Sequence, residues 1–186
     1  MTSVIKVDTI QNSTGTGGLT IPAIAGTVAT VNGITEFDSW RLTQNNTYNN
    51  GSTVDAYWER TDTEDFEKIG TGMSQSSGIF TFPSTGYWLI HFVAQAQRTN
   101  ASTDGVGMGL QHTTDNSNWT TAVDIQQGVA QNQTSFTSGF HFVKISDTAN
   151  DKVRFIMTTQ AGSGTLFFGA TDRLKTGAYF AKIAGI

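Results

Sequence analysis

The chain is predicted to be an all-β protein, a two-sheet antiparallel sandwich preceded by a short extended arm. Three observations predict it. β-Branched and aromatic residues run through the whole length, with 30 Thr, 12 Phe, 4 Tyr and 4 Trp in 186 residues, and these types fit a pleated, half-buried surface. Turn residues recur about every ten positions, the spacing of a sandwich or barrel. Apolar residues at helical spacing are nearly absent and only 14% of residues are charged, which excludes a coiled coil or a solvated bundle built on Ala, Glu, Lys and Leu.

Residues 1–35 read as an arm. Val4 to Ile10, VIKVDTI, is a short strand candidate, and Gln11 to Gly18, QNSTGTGG, has too little apolar surface to fold alone. Leu19-Thr20-Ile21-Pro22 and Ala25 to Ile34 add weak β signals. Such a segment gains order against a partner chain, and Val4, Ile5, Val7, Ile10, Leu19 and Ile21 are its anchoring candidates.

Residues 36–186 form the folded domain. The stretch Ala56 to Phe66 carries too much Thr and Asp for a helix. Ile79-Phe80-Thr81-Phe82 ends in Pro83-Ser84-Thr85-Gly86, a turn in which Pro sets φ and Gly supplies freedom at the exit. The next strand, Tyr87 to Gln97, alternates: Trp88, Ile90, Phe92, Ala94 and Ala96 form an apolar core face, while Tyr87, Leu89, His91, Val93 and Gln95 form a mixed face suited to partial cover by a neighbouring subunit. Further strands are expected at 106–111, 136–145, 153–158, 165–168 and 178–183, with SDTANDK as a tight polar connection after Ile145. About eight to ten strands are expected, enough for two packed sheets.

Composition narrows function. A net charge of −4 and a pI near 5.2 argue against nucleic-acid binding. No apolar run approaches the ~18 residues that would span a membrane. The start, MTSVIKVDTI, lacks a cationic region followed by an apolar one, so no signal peptide is expected. With no cysteine there are no disulfides, thiol nucleophiles or Cys-based metal sites.

The run Gly78 to Phe92, GIFTFPSTGYWLIHF, resembles the signature of the tumour-necrosis-factor-like and complement-globular-head superfamily, in which an aromatic strand, a Pro/Gly turn and a second aromatic strand follow in this order. ISDTANDKVRF (145–155) and TGAYFAKI (176–183) are similar to that family's polar turn and closing strand. The resemblance covers roughly residues 37–186. It implies a TNF-like jelly roll of about ten strands that assembles as a compact homotrimer. Ser3 to Pro22, SVIKVDTIQNSTGTGGLTIP, resembles the N-terminal segments of virion structural proteins of tailed marine phages, which implies attachment of a fibre or decoration protein to the particle.

Catalytic motifs are missing: there is no G-x-S-x-G, H-E-x-x-H or Walker loop. Gly105-Val106-Gly107-Met108-Gly109 lies in a strand pattern, whereas a phosphate loop needs a helix N-terminus after it. Asp62, Glu64, Asp65 and Glu67 are the densest acidic cluster. They read as a solvated loop, with a calcium site or a glycosidase-type carboxylate pair as the sharper alternatives. His91, His112 and His141 read as structural hydrogen-bonding residues, His91 and His141 on the mixed face; no metal or cofactor is expected.

Charge is uneven. Residues 36–67 hold eight acidic and two basic side chains, a net of −6, and residues 141–186 hold six basic and three acidic, a net of +3. These are two solvated faces of one sandwich, or else faces that meet across subunits, with Lys152, Arg154, Arg173 and Lys175 near a neighbour's acidic loop. The aromatic excess suits burial between subunits, and Tyr87, Phe155, Phe167 and Tyr179 are candidates for a threefold seam. The polar loops 43–55, 97–105 and 111–121 carry Tyr48 and Trp119 as candidates for stacking on glycans.

The expected function is a non-enzymatic phage virion structural protein: a homotrimeric fibre, knob or capsid-decoration component. Its arm contacts other virion proteins and its loops contribute to host-surface adhesion through glycan. The alternative is a bacterial surface or secreted glycan-binding adhesion module.

Overall fold

The computed structural model describes residues 33–62, 66–99, 105–159 and 164–186. The arm candidates Val4, Ile5, Val7, Ile10, Leu19 and Ile21 lie outside them, as do Glu64 and Asp65. Among the described residues the chain is all-β, with no helix. Twelve strands follow in order: β1 Phe37–Leu42, β2 Asn46–Tyr48, β3 Trp58–Arg60, β4 Ser74–Ser76, β5 Ile79–Thr81, β6 Gly86–Arg98, β7 Gly105–Thr113, β8 Thr120–Gly128, β9 Thr134–Ile145, β10 Lys152–Thr159, β11 Thr165–Phe167 and β12 Gly177–Ala184.

They form two antiparallel sheets. In the larger, β6 is the spine. β9 pairs along one edge of it, from Gly86↔Ile145 to Gln97↔Thr134. On the other edge β12 takes Tyr87 to Val93 and β11 takes Ala96 to Arg98. Beyond β12 lie β1 and β3, and beyond β11 lies β2. The smaller sheet runs β4-β5-β10-β7-β8. The strand count exceeds the expected one because the three-residue β2, β3 and β4 and the polar β8 lack a run of apolar residues at period 2.

The alternation of β6 places its faces as expected. Trp88, Ile90, Phe92, Ala94 and Ala96 are buried against Val106, Met108 and Leu110 of β7 and Val153, Phe155 and Met157 of β10. Phe80 sits at the aromatic centre, with ring centroids 5.6 Å from Trp40, 5.1 Å from Trp58, 5.6 Å from Phe155 and 5.1 Å from Phe180. Each such ring contributes about 2 kcal/mol by leaving water, before edge-to-face terms.

Polar groups close the ends. The carboxylate of Asp38, fully buried, accepts from Trp40 Nε1 (3.0 Å), the Met73 amide (2.7 Å), the Ser39 amide (2.9 Å) and Arg60 Nε (3.0 Å). It thereby ties β1 to β3 and to the segment before β4. The β4–β5 hairpin turns through Ser77 and Gly78, both at positive φ (48° and 76°), the conformation a two-residue type I′ turn requires. After Ile145, the buried Asp151 accepts from the Ser146 and Asp147 amides at 2.6 and 2.9 Å, which explains how SDTANDK makes so tight a connection.

Candidate functional site

The outward face of the larger sheet is where apolar side chains remain unburied. On β9, Ser135, Thr137, Val143 and Ile145 turn inward, so Phe136, Phe140 and Phe142 turn outward, at 68%, 66% and 59% exposure. Register carries them across the sheet. Phe142 lies beside Leu89, Leu89 beside Ala181 and Ala181 beside Phe37. One row along, Phe140, His91, Tyr179 and Ser39 follow each other. The result is an aromatic ridge on β9 and, next to it, a shallow hollow of about 330 Å³ lined by Phe37, Leu89, His91, Tyr179 and Ala181. A second hollow of about 270 Å³ lies between Val93, Gln95, Phe136, Ser138, Leu174 and Lys175.

The floor of the first hollow is ordered by stacking. His91 and Tyr179 lie nearly parallel, 9° apart with centroids at 6.0 Å, and Tyr179 stacks in turn on Phe37 at 6.2 Å. His91 Nε2 and Ser138 Oγ share a hydrogen bond of 2.8 Å. A face this apolar, with polar groups already paired to one another, can bury itself against protein without stranding a donor.

The candidate seam residues divide. Tyr87, 46% exposed, and the half-buried Tyr179 are on this outward face. Phe155 and Phe167 are not: both are fully buried in their own subunit's core, Phe155 against Phe80 and Phe92, Phe167 against Tyr48. Their strands place them inward, so they cannot meet a neighbour. Arg173 is exposed and pairs locally with Asp172, and Lys175 lies over the Phe168 ring at 5.6 Å. Neither Lys152 nor Arg154 is on this sheet. The ridge itself was not singled out from sequence, although Phe136, Phe140 and Phe142 share one parity of FTSGFHFVKI. Valine and isoleucine occupy the other parity, so both faces of β9 read as apolar.

Tyr48 is also corrected. It is a core residue at 5% exposure whose hydroxyl donates to the Ala56 carbonyl (3.4 Å), not a loop side chain free to stack on a sugar. Burial accordingly raises its phenol above the ordinary value. Trp119 is half-buried beneath the guanidinium of Arg154, 4.3 Å from its ring centroid. His141 lies on the inward face of β9, opposite to the expectation, and its pKa is lowered by burial. His112 also turns inward; its Nε2 is buried without a partner among the described residues, and burial lowers its pKa against the opposing pull of Asp151. Asp62 pairs with the buried Arg41, which also reaches Glu59 at 3.3 Å. Among the described residues no group of three His, Asp or Glu side chains could hold a metal.

With this geometry in view the fold is similar to several solved structures. Eiger TNF from S. frugiperda superposes with a TM-score of 0.59 at 14% identity, covering 81% of this chain and 93% of that one. Murine APRIL superposes at 0.58 and 10% identity, covering 80% and 98%. The globular domain of zebrafish complement 1qA protein gives 0.46 at 15% identity over 83% and 100%. On the first two likenesses the fold is an all-β sandwich of the TNF-like jelly-roll class. At these identities the likeness fixes the fold and not the activity. No family model and no curated protein sequence matches the chain.

Proposed function

We propose that the chain is a self-assembling structural head, a homotrimeric fibre, knob or decoration component of a phage virion, and not an enzyme. The observation that carries the assembly is the exposed row Phe136, Phe140 and Phe142 beside the hollow of Phe37, Leu89, His91 and Tyr179. A ridge and a hollow side by side on one face let one copy's ridge seat in another copy's hollow, either reciprocally about a twofold axis or head to tail around a ring. The ring, with three copies, is the arrangement the TNF-like resemblance implies. Tyr87 and the cations Arg173 and Lys175 then belong at or near the rim of the contact.

The virion role rests on the resemblance of Ser3 to Pro22 to phage structural proteins, with the arm joining the head to other particle proteins. Adhesion to a host-surface glycan is a second role of the outward loops. Mass spectrometry of purified particles tests the placement: the chain is expected in them at a copy number divisible by three, and its absence from particles overturns the virion role. Phe140→Asp tests the contact, since a buried, unpaired carboxylate opposes seating; it is expected to yield monomer with an unchanged β-type circular dichroism spectrum.

A further inference from the structure

On the outward face of the smaller sheet, Arg154 stands between Gln111 on β7 and Ile79 on β5. Two contacts hold its guanidinium. Nε donates to Gln111 Oε1 at 2.7 Å, the planar group lies on Trp119 at 4.3 Å, and Gln111 is itself steadied by donating Nε2 to Thr121 Oγ1 at 3.2 Å. Among the described residues neither terminal nitrogen has a protein acceptor, and no carboxylate pairs with this cation. Asp115, four positions before Trp119, is engaged with its own loop, accepting from Thr113 Oγ1 and from the Ser117 and Asn118 amides. Partial burial lowers the ordinary arginine value without removing its charge. A half-buried guanidinium, fixed in orientation and lacking a counter-ion, is an unfinished ion pair whose planar fork matches a carboxylate.

We infer that Arg154, positioned by Gln111 and Trp119, is a binding site for the carboxylate of an acidic saccharide. A sugar suits the surroundings better than a peptide. Thr121 offers a hydroxyl and Asn118, next to Trp119 in sequence, a neutral amide for ring hydroxyls, and Trp119 offers aromatic surface. A peptide would want a free strand edge, and β7 and β10 are each paired on both sides here, β7 by β8 and β10, β10 by β7 and β5. The inference deepens the adhesive part of the proposed function, yet it stands on the opposite sheet from the assembly face, so each can fail alone.

The test uses the full-length chain with trigalacturonate, its methyl ester and poly-glutamate as probes, by titration calorimetry at low and high salt. Trigalacturonate is expected to bind and to weaken with salt, the ester and poly-glutamate to fail, and Arg154→Gln to lose about tenfold or more in affinity. Arg154→Lys keeps the charge without the fork and is expected to lose most of that affinity as well. Native mass of each variant serves as the folding and assembly control. No binding of trigalacturonate, equal binding of the ester, or unchanged affinity in a folded Arg154→Gln overturns the site. Preferential binding of poly-glutamate overturns the saccharide in favour of an acidic peptide. A monomeric wild type that still binds through Arg154 refutes the assembly reading and leaves this site standing.

Discussion

Asp38 is the residue on which the β1 end of the sandwich depends. Its carboxylate takes hydrogen bonds from four groups in three segments, and its bidentate partner Arg60 is one-third exposed while Asp38 is fully buried. Removing the acceptor strands the indole and two amides in a place water does not reach. Asp38→Ala is therefore expected to lose about 3 kcal/mol, read from the midpoint of urea unfolding; a loss below about 0.5 kcal/mol would mean the network is solvated. The sequence showed Asp38 only as one member of an acidic stretch. An isolated charge at a strand start carries no local sign of burial, because burial is decided by the segment around Met73, 35 positions away. Tyr48 misled for the mirror reason: it sits among Asn and Thr, yet pairing of β2 with β11 carries its ring into the core.

Elements were legible where aromatic and β-branched residues run together, so that even the three-residue β5 and β11 were expected. β6, β9 and β10 announce themselves through sustained alternation, and the Pro83 to Gly86 turn was placed correctly between β5 and β6. β8 was missed because its Thr, Gln and Asp outnumber Val123 and Ile125, the two residues that pack on the core. The β4–β5 hairpin carries an element-scale prediction. Gly78 has φ of 76°, and a Cβ there would lie 2.3 Å from the Val54 carbonyl oxygen. Gly78→Val is expected to cost about 2 kcal/mol or more, from φ strain and the backbone clash together, measured as a fall in melting temperature. Gly128, which has open space around its Cβ position and no unusual φ, serves as the contrast, and Gly128→Ala is expected to be near neutral.

At the scale of the whole molecule, two inward histidines make the sandwich acid-sensitive. Burial holds His112 and His141 below the ordinary value of 6.5, so the unfolded chain takes up their protons first as pH falls. Stability is full above that value and declines below it. Asp147, held low by the Ala149 amide and Asn150, adds a loss in the same direction at more acid pH, below the ordinary 3.8. Melting temperature is expected to fall between about pH 7 and about pH 5, and His112→Gln with His141→Gln to flatten that slope; a wild-type curve already flat there contradicts the inward placement. The face of the larger sheet is the other whole-molecule feature, and it was half legible. The mixed parity of β6 marked the outward face, but which parity of β9 joins it depends on the register Leu89↔Phe142, and register is not written in either strand alone.

Assembly through the Phe136, Phe140 and Phe142 ridge is the central claim, and the native mass of the purified full-length chain by light scattering tests it most directly. A concentration-independent species at three times 20.0 kDa, about 60 kDa, is the expected result. A clean 20.0 kDa monomer, with those three phenylalanines left in water, contradicts it.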